Sequence, residues 1–135
     1  MQGVERSNDL SNRVLFAVAI GGAVGATARW FVSWSFDTLD AGHVPGTWPW
    51  ATFVVNVVGC LLIGVAARRV VPGTTAWAFV VTGVLGGFTT FSAFAVELND
   101  LAEADRMTLA IIYGAVTLAA GIGATAIADA GQDRP

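Results

Sequence analysis

Long apolar stretches alternate with short polar segments along this 135-residue chain. The apolar stretches occupy residues 14–36, 50–67, 77–98 and 107–128. Each has the length, about 20 residues, that a helix needs to cross the hydrocarbon core of a bilayer. The pattern predicts an all-α membrane protein with four transmembrane helices at residues 14–128, flanked by a polar N-terminal tail at 1–13 and a polar C-terminal tail at 129–135.

The third apolar stretch contains a run that is typical of a helix break. Gly86 and Gly87 are followed by Thr89 and Thr90, and both glycine and β-branched threonine weaken a helix. In lipid, each backbone N–H or C=O without a partner costs several kcal/mol unless protein, water or an ion satisfies it. We therefore expect the third helix to be broken at its centre and the break to form a shielded ion pathway or ion-binding centre.

Composition excludes several classes of protein. The chain is 55% hydrophobic and 13% charged, and its mean hydropathy is +0.66, which argues against a soluble domain. The net charge of −3 without any lysine argues against a nucleic-acid partner. Cys60 is the sole cysteine and is expected to be a small buried hydrophobic residue, since it provides no disulfide framework and no cysteine-based metal site.

His43 is the sole histidine and has no cluster of catalytic groups beside it, so we predict no enzymatic activity.

Arginine placement predicts the orientation in the membrane. The tails and the second loop carry most of the positive charge, with Arg106 in the opposite loops against Arg6, Arg13, Arg68, Arg69 and Arg134. Because positively charged loops stay on the cytoplasmic side, this bias predicts cytoplasmic termini.

Four short helices enclose little volume by themselves. A polar pathway must be walled from membrane lipid on every side, and a chain of this size achieves that most easily by pairing with another copy. Gly21 and Gly25 lie four residues apart and form a small-residue face that lets two helices approach closely.

Several polar residues lie inside the apolar stretches and are candidates for the pathway. Arg29 lies near the end of the first stretch, where it either snorkels to the interface or pairs with an anion or a carbonyl. Asn56 lies in the middle of the second, where its amide either donates to an anion or bridges helices, and Thr52 lies on the same face. Glu97 follows the break and is either a solvated interfacial carboxylate or part of the pathway.

Aromatic and hydroxyl pairs extend this candidate track. Phe91 and Phe94 are three residues apart and share a helix face. Because the edge of a phenyl ring is electropositive, such rings can stabilise a small anion without a formal charge, although packing is the commoner role of an aromatic stripe. Tyr113 and Thr117 are four residues apart on the fourth stretch and provide a second pair of hydroxyls.

These residues fall in three blocks that resemble the Fluc or CrcB family of small microbial fluoride channels. The blocks are GGAVGATARW at residues 21–30, TFVVNVVG at 52–59 and TGVLGGFTTFSAF at 82–94. Together with the four-span layout they cover nearly the whole chain outside its tails. The third block is the most specific of the three.

The resemblance implies an antiparallel dual-topology dimer with two fluoride pores and one structural sodium ion at its centre. It implies that backbone carbonyls of Gly86 and Thr89 from both subunits hold the sodium, which is not transported. The fluoride pathway then comprises the amide of Asn56 with Thr52 on its face, the paired rings of Phe91 and Phe94, the hydroxyls of Ser92, Tyr113 and Thr117, the vestibule arginine Arg29, and Glu97.

The function implied is passive export of fluoride from the cytoplasm across the cell membrane, which reduces its toxicity. The alternative is a small four-helix, dual-topology exporter of cations or drugs, which needs an embedded carboxylate that is typically in the first helix, where this chain has no acid before Asp37. A non-transporting assembly subunit would leave the broken span unexplained. The arginine bias keeps a heterodimer with an oppositely oriented sister protein as an alternative to a homodimer.

Overall fold

The computed structural model describes residues 2–39 and 46–130, without the side chains of residues 2–10, 39 and 129. His43 and Arg134 lie outside the described residues. The elements are α1 at Gln2–Leu39, α2 at Trp50–Arg69, α3 at Thr75–Trp77, a π-helical segment at Ala78–Leu85, α4 at Gly86–Phe88, α5 at Phe91–Glu103 and α6 at Met107–Ala130. The third predicted span thus comprises four consecutive helical pieces.

Within the described residues, four stretches are long and apolar enough to cross a membrane, as the sequence pattern predicts. They are Ser11–Thr38, Trp50–Arg69, Thr75–Glu103 and Met107–Ala128. The polar segment before the first of them is helical and continues α1 towards the N-terminus. Its place outside the bilayer stays a prediction.

Helix α1 packs against the first half of the third span through glycine. A Cβ atom on Gly25 would lie 2.8 Å from the backbone nitrogen of Phe88, and one on Gly21 would lie 3.0 Å from Cα of Gly83. The two backbones are therefore in direct contact, and the small-residue face formed by Gly21 and Gly25 is used inside the chain. The later glycine of α1 contacts the later residue of the third span, so α1 and the first half of the third span run in the same direction.

Helices α2 and α6 form the second close pair. Thr125 donates to the carbonyl of Cys60 at 3.3 Å, and the Arg68 guanidinium donates to the carbonyl of Ala128 near the ends of both helices. A Cβ atom on Gly121 would lie 3.2 Å from the sulfur of Cys60, which is half-buried at this contact. These contacts also advance together, so α2 and α6 are parallel.

The second half of the third span packs on α6 instead of α1. The buried side chains at this contact are Phe94 and Leu101 from α5, with Ala110 and Tyr113 from α6. The third span thus packs on α1 before the break and on α6 after it.

Candidate functional site

The third span is interrupted at two threonines. Helix α4 ends at Phe88 and α5 begins at Phe91, and the backbone between them is extended, with ψ 158° at Thr89 and φ −145° at Thr90. The Thr90 hydroxyl accepts a hydrogen bond from the Ala93 N–H at 3.1 Å and so caps the start of α5. The expected break is present, inside the run that predicts it.

Asn56 holds the break from the neighbouring helix α2. Its Nδ2 donates to the carbonyl of Thr90 at 2.9 Å, and its Oδ1 accepts from the N–H of Thr90 at 2.8 Å. One side-chain amide thereby satisfies both backbone groups of a residue that belongs to neither helix. Of the two roles open to Asn56, the structure places it in the bridge between helices.

Two backbone carbonyls lose their helical partner as a result. In an uninterrupted helix, the Gly86 carbonyl would accept from the N–H of Thr90, and the Thr89 carbonyl would accept from the N–H of Ala93. Both donors are directed elsewhere, to Asn56 and to the Thr90 hydroxyl. The carbonyls of Gly86 and Thr89 are the two that the family resemblance assigns to a sodium ion.

The chemistry of these donors suits a hard cation of low charge. Neutral carbonyl oxygens bind such cations, whereas zinc and similar metals prefer histidine, cysteine and carboxylate ligands. Among the described residues, no three such side chains are grouped in a way that could hold a metal ion. The residues present therefore fit a sodium ion better than a transition metal.

Arg29 also reaches the backbone of the third span next to the break. Its Nε donates to the carbonyl of Gly87 at 3.2 Å, in the last turn before the break, and the residue is half-buried. The carbonyls at the C-terminal end of a helical segment carry partial negative charge, which a guanidinium stabilises. The structure thus places Arg29 in a pair with a carbonyl, which is one of the two options that its position in the sequence leaves open.

A groove of about 310 Å³ opens beside the break, on the outside of the single chain. Its lining combines α2, the break and α6: Asn56, Cys60, Ile63, Thr89, Thr90, Phe91, Phe94, Thr117, Leu118, Gly121 and Ile122. The rings of Phe91 and Phe94 lie 6.0 Å apart at this groove. Phe91 is 79% exposed, whereas Phe94 is buried. The Thr117 side chain is buried, and its hydroxyl has no hydrogen-bond partner in the described part of the chain.

Glu97 joins three helices inside the bundle. Its Oε1 accepts from the Thr52 hydroxyl at 2.6 Å, and its Oε2 accepts from the Tyr113 hydroxyl at 2.7 Å. Thr52 and Tyr113 are both buried, and Glu97 is half-buried. Both carboxylate oxygens are thus turned to α2 and α6, and the role of Glu97 in the pathway stays a prediction.

The structure divides the predicted site residues into groups. Those around the groove are Asn56, Thr89, Phe91, Phe94 and Thr117. Thr52, Glu97 and Tyr113 form the second group, which contacts the first where the rings of Phe94 and Tyr113 lie 5.4 Å apart. Arg29 lies on the α1 side of the break through its contact with Gly87. Ser92 is exposed and lies 3.3 Å from the Thr90 hydroxyl.

Sequence reasoning missed two residues of this region. Thr90 caps α5, accepts one hydrogen bond from the Asn56 amide and donates another to it, and a threonine before a resumed helix is a signal that could have identified it. Trp48 packs against Tyr113, with ring centroids 5.2 Å apart. The sequence gives no signal for that contact beyond the presence of an aromatic residue near the membrane interface.

Comparison with known proteins matches the chain over most of its length. The family described as CrcB-like protein, Camphor Resistance (CrcB), matches residues 16–129. The fluoride-specific ion channel FluC 2 of Nocardia farcinica (strain IFM 10152) is 38% identical over 126 residues, which cover 90% of this chain and 86% of the relative. The fluoride-specific ion channel FluC of Novosphingobium aromaticivorans is 44% identical over 108 residues, which cover 78% of this chain and 84% of the relative.

Proposed function

Because the chain belongs to the CrcB family and is a multi-pass membrane protein, we propose that it is a fluoride-specific ion channel. It carries fluoride passively down its electrochemical gradient, outward from the cytoplasm, and performs no chemical reaction. The observation that carries the proposal is the groove beside the break, where an amide, a buried hydroxyl and two phenyl rings meet inside a membrane span.

Groups that line the groove can replace the water molecules of the fluoride hydration shell. A small anion leaves water only if donors in the pore replace the lost hydrogen bonds. The Thr117 hydroxyl makes no hydrogen bond by distance and angle among the described residues, so it can turn its proton towards an ion in the groove. The ring edges of Phe91 and Phe94 add electropositive hydrogens. Larger halides are rejected because they fit a narrow path and its donors poorly.

A second copy of the chain, in the opposite orientation, completes the path. The groove is open on one side, and its outer rim is apolar: Phe91 is 79% exposed, Ile122 72% and Leu118 60%. Polar backbone cannot face hydrocarbon, so the break needs a cover that lipid does not supply. An antiparallel dimer brings the two breaks together and yields two equivalent paths.

A structural sodium ion at the dimer centre is held by the carbonyls of Gly86 and Thr89 from both subunits. The loss of their helical donors supports this assignment. The carbonyl oxygens coordinate the bound ion, which supplies a fixed positive charge. It stays in place while fluoride passes.

Fluoride efflux from liposomes tests the function directly. The purified chain is reconstituted alone, and the release of fluoride is compared with that of chloride and of an organic cation under a proton gradient. We expect fast release of fluoride and none of the other two. Proton-coupled release of the cation without fluoride flux would establish the drug-exporter alternative, and flux of neither ion would overturn the channel proposal for the chain alone.

The same preparation tests the composition of the dimer. A homodimer requires that the chain conducts fluoride when no other protein is present. Fluoride flux that appears only after addition of an oppositely oriented sister protein would establish the heterodimer.

A further inference from the structure

Two buried polar side-chain atoms have no hydrogen-bond partner among the described residues. They are Nε1 of Trp48 and Oγ1 of Thr117. A buried donor without an acceptor costs free energy and calls for an explanation, such as an ion or a water molecule that binds there. Thr117 lines the groove of the proposed pathway, whereas Trp48 belongs to no site described so far.

Trp48 lies at the end of the loop that leads into α2, next to the group around Glu97. Gly46 starts this turn with φ +83°, a conformation that glycine adopts without strain. The Trp48 ring lies 5.2 Å from the Tyr113 ring at an angle of 87°, and it also packs edge-on with Phe53. Tyr113 in turn donates to Glu97. The indole is thus in direct contact with the tyrosine that links the two groups of site residues.

The two hydroxyl groups that contact Glu97 are already engaged. Thr52 and Tyr113 both donate to its carboxylate. An indole nitrogen donates and cannot accept, so only an acceptor can satisfy Trp48.

A guanidinium beside this turn supports an anion as that acceptor, although the Glu97 carboxylate is bound to the tyrosine that packs on Trp48. The side chain of Arg106 packs on Gly46, where its Nε would lie 3.7 Å from a Cβ atom at that position. A guanidinium beside the loop attracts anions to this end of the bundle. The Trp48 nitrogen itself is shielded from solvent.

We propose that the indole N–H of Trp48 donates a hydrogen bond to fluoride and forms a further binding position in the pathway, beside Tyr113. The inference rests on the proposed function. It adds to the fluoride pathway a residue that the sequence pattern did not assign to it. The added donor lies just before the start of α2.

Fluoride flux through Trp48→Phe measures the contribution of this donor. The substitution removes the N–H and keeps an aromatic ring against Tyr113. One hydrogen bond to an ion changes a rate or affinity by about tenfold, so we expect fluoride efflux to fall by about that factor. Trp50→Phe is the matched control, because Trp50 is a neighbouring tryptophan that is 52% exposed, and we expect it to conduct like the wild type.

The indole N–H resonance of Trp48 reports on this hydrogen bond in the wild-type protein, where no substitution has altered the packing. In protein labelled with ¹⁵N at tryptophan, this resonance is assigned by its loss in Trp48→Phe. We expect sodium fluoride to shift it downfield in the wild type and sodium chloride to leave it in place. A resonance that stays fixed at fluoride concentrations that support flux would overturn the inference whatever the variant conducts, and the channel function would stand. Absence of flux in the wild type is instead a failure of the proposed function, and the binding position falls with it.

Discussion

The side chain of Asn56 replaces, at one point in the third span, the hydrogen bonds that a continuous helix would make. It satisfies the N–H and the C=O of Thr90 from a different helix. Because both backbone groups are half-buried inside a membrane span, few other partners are at hand. Asn56 therefore keeps the break open and at the same time fixes α2 against it.

Replacement of Asn56 by alanine tests this role. The variant leaves both backbone groups of Thr90 without their partner, at a cost of about 1–3 kcal/mol for each group. We expect a lower unfolding temperature in detergent and loss of most fluoride flux in liposomes. Asn99→Ala is the control, because the Asn99 amide makes only a local hydrogen bond to Glu103 on the exposed surface of α5. Equal unfolding temperatures for the two variants would contradict the role assigned to Asn56.

Phe91 is the residue at the groove that can be changed with least effect on folding. It is 79% exposed in the single chain, so its replacement leaves no cavity in the packed interior. We expect Phe91→Ile to suppress fluoride efflux from liposomes, since isoleucine has no electropositive ring edge. The dimer should still assemble, as judged by chemical crosslinking.

Phe16→Ile provides the comparison for Phe91→Ile. Phe16 is 69% exposed on α1 and does not line the groove. Its replacement should leave the flux unchanged. If Phe91→Ile conducts as well as Phe16→Ile, the aromatic part of the proposed pathway is wrong.

At the scale of elements, the two halves of the third span pack against different helices. The first half packs on α1 through backbone contacts at glycine, and the second half packs on α6 through larger side chains. A single straight helix could not follow both surfaces. The break lies where the third span changes from one packing surface to the other, and there two carbonyls lose their helical donors.

Gly25→Ala tests the glycine contact between α1 and the third span. A methyl group there would overlap the backbone of Val84 and Phe88, which cannot yield without separation of the two segments. Overpacking of this kind costs about 1–3 kcal/mol, so we expect a lower unfolding temperature in detergent.

Gly22→Ala is the matched control three positions away on the same helix. A methyl group at Gly22 meets no atom within 4 Å, so this variant should unfold at or above the temperature of the wild type. The same loss of stability in both variants would show that helix propensity or lipid contact, and not the close approach at Gly25, is responsible.

At the scale of the whole molecule, the described chain leaves the groove beside the break uncovered at its surface. The groove beside the break is open, and large apolar side chains surround it. We infer that the channel is complete only as a dimer, in which the partner covers the groove and shares the sodium ion. Sodium then contributes to the stability of the assembly and not only to that of one chain.

Removal of sodium tests this assembly. A ligand present at 100 times its Kd stabilises the protein that binds it by about 2.7 kcal/mol. We therefore expect that exchange of sodium for a large organic cation lowers both the unfolding temperature of the dimer and the fluoride flux, and that sodium restores both. Identical unfolding temperatures and fluxes in the two salts would show that no sodium ion supports the structure.

The sequence alone predicted the four membrane-spanning elements correctly, whereas the roles of the site residues stay predictions. Apolar length determines where a chain can cross a membrane, and Gly86 to Thr90 weaken a helix wherever they are placed, so four spans and the break could be read without a structure. The same local reasoning identified Asn56 as a polar group that needs a partner. It could not choose between an anion and another helix.

That choice depended on tertiary structure, because it concerns groups that are far apart in the chain. Glu97 meets Thr52 from 45 positions away, and Arg29 meets Gly87 from 58 positions away. Which donors find acceptors inside the protein, and which are left for an ion, is decided only when the helices pack. The sequence determined the spans and their polar residues through hydrophobic length and backbone propensity. The packing decided that the oxygens of Glu97 face α2 and α6. It also decided that the indole nitrogen of Trp48 and the hydroxyl of Thr117 have no hydrogen-bond partner in the described chain.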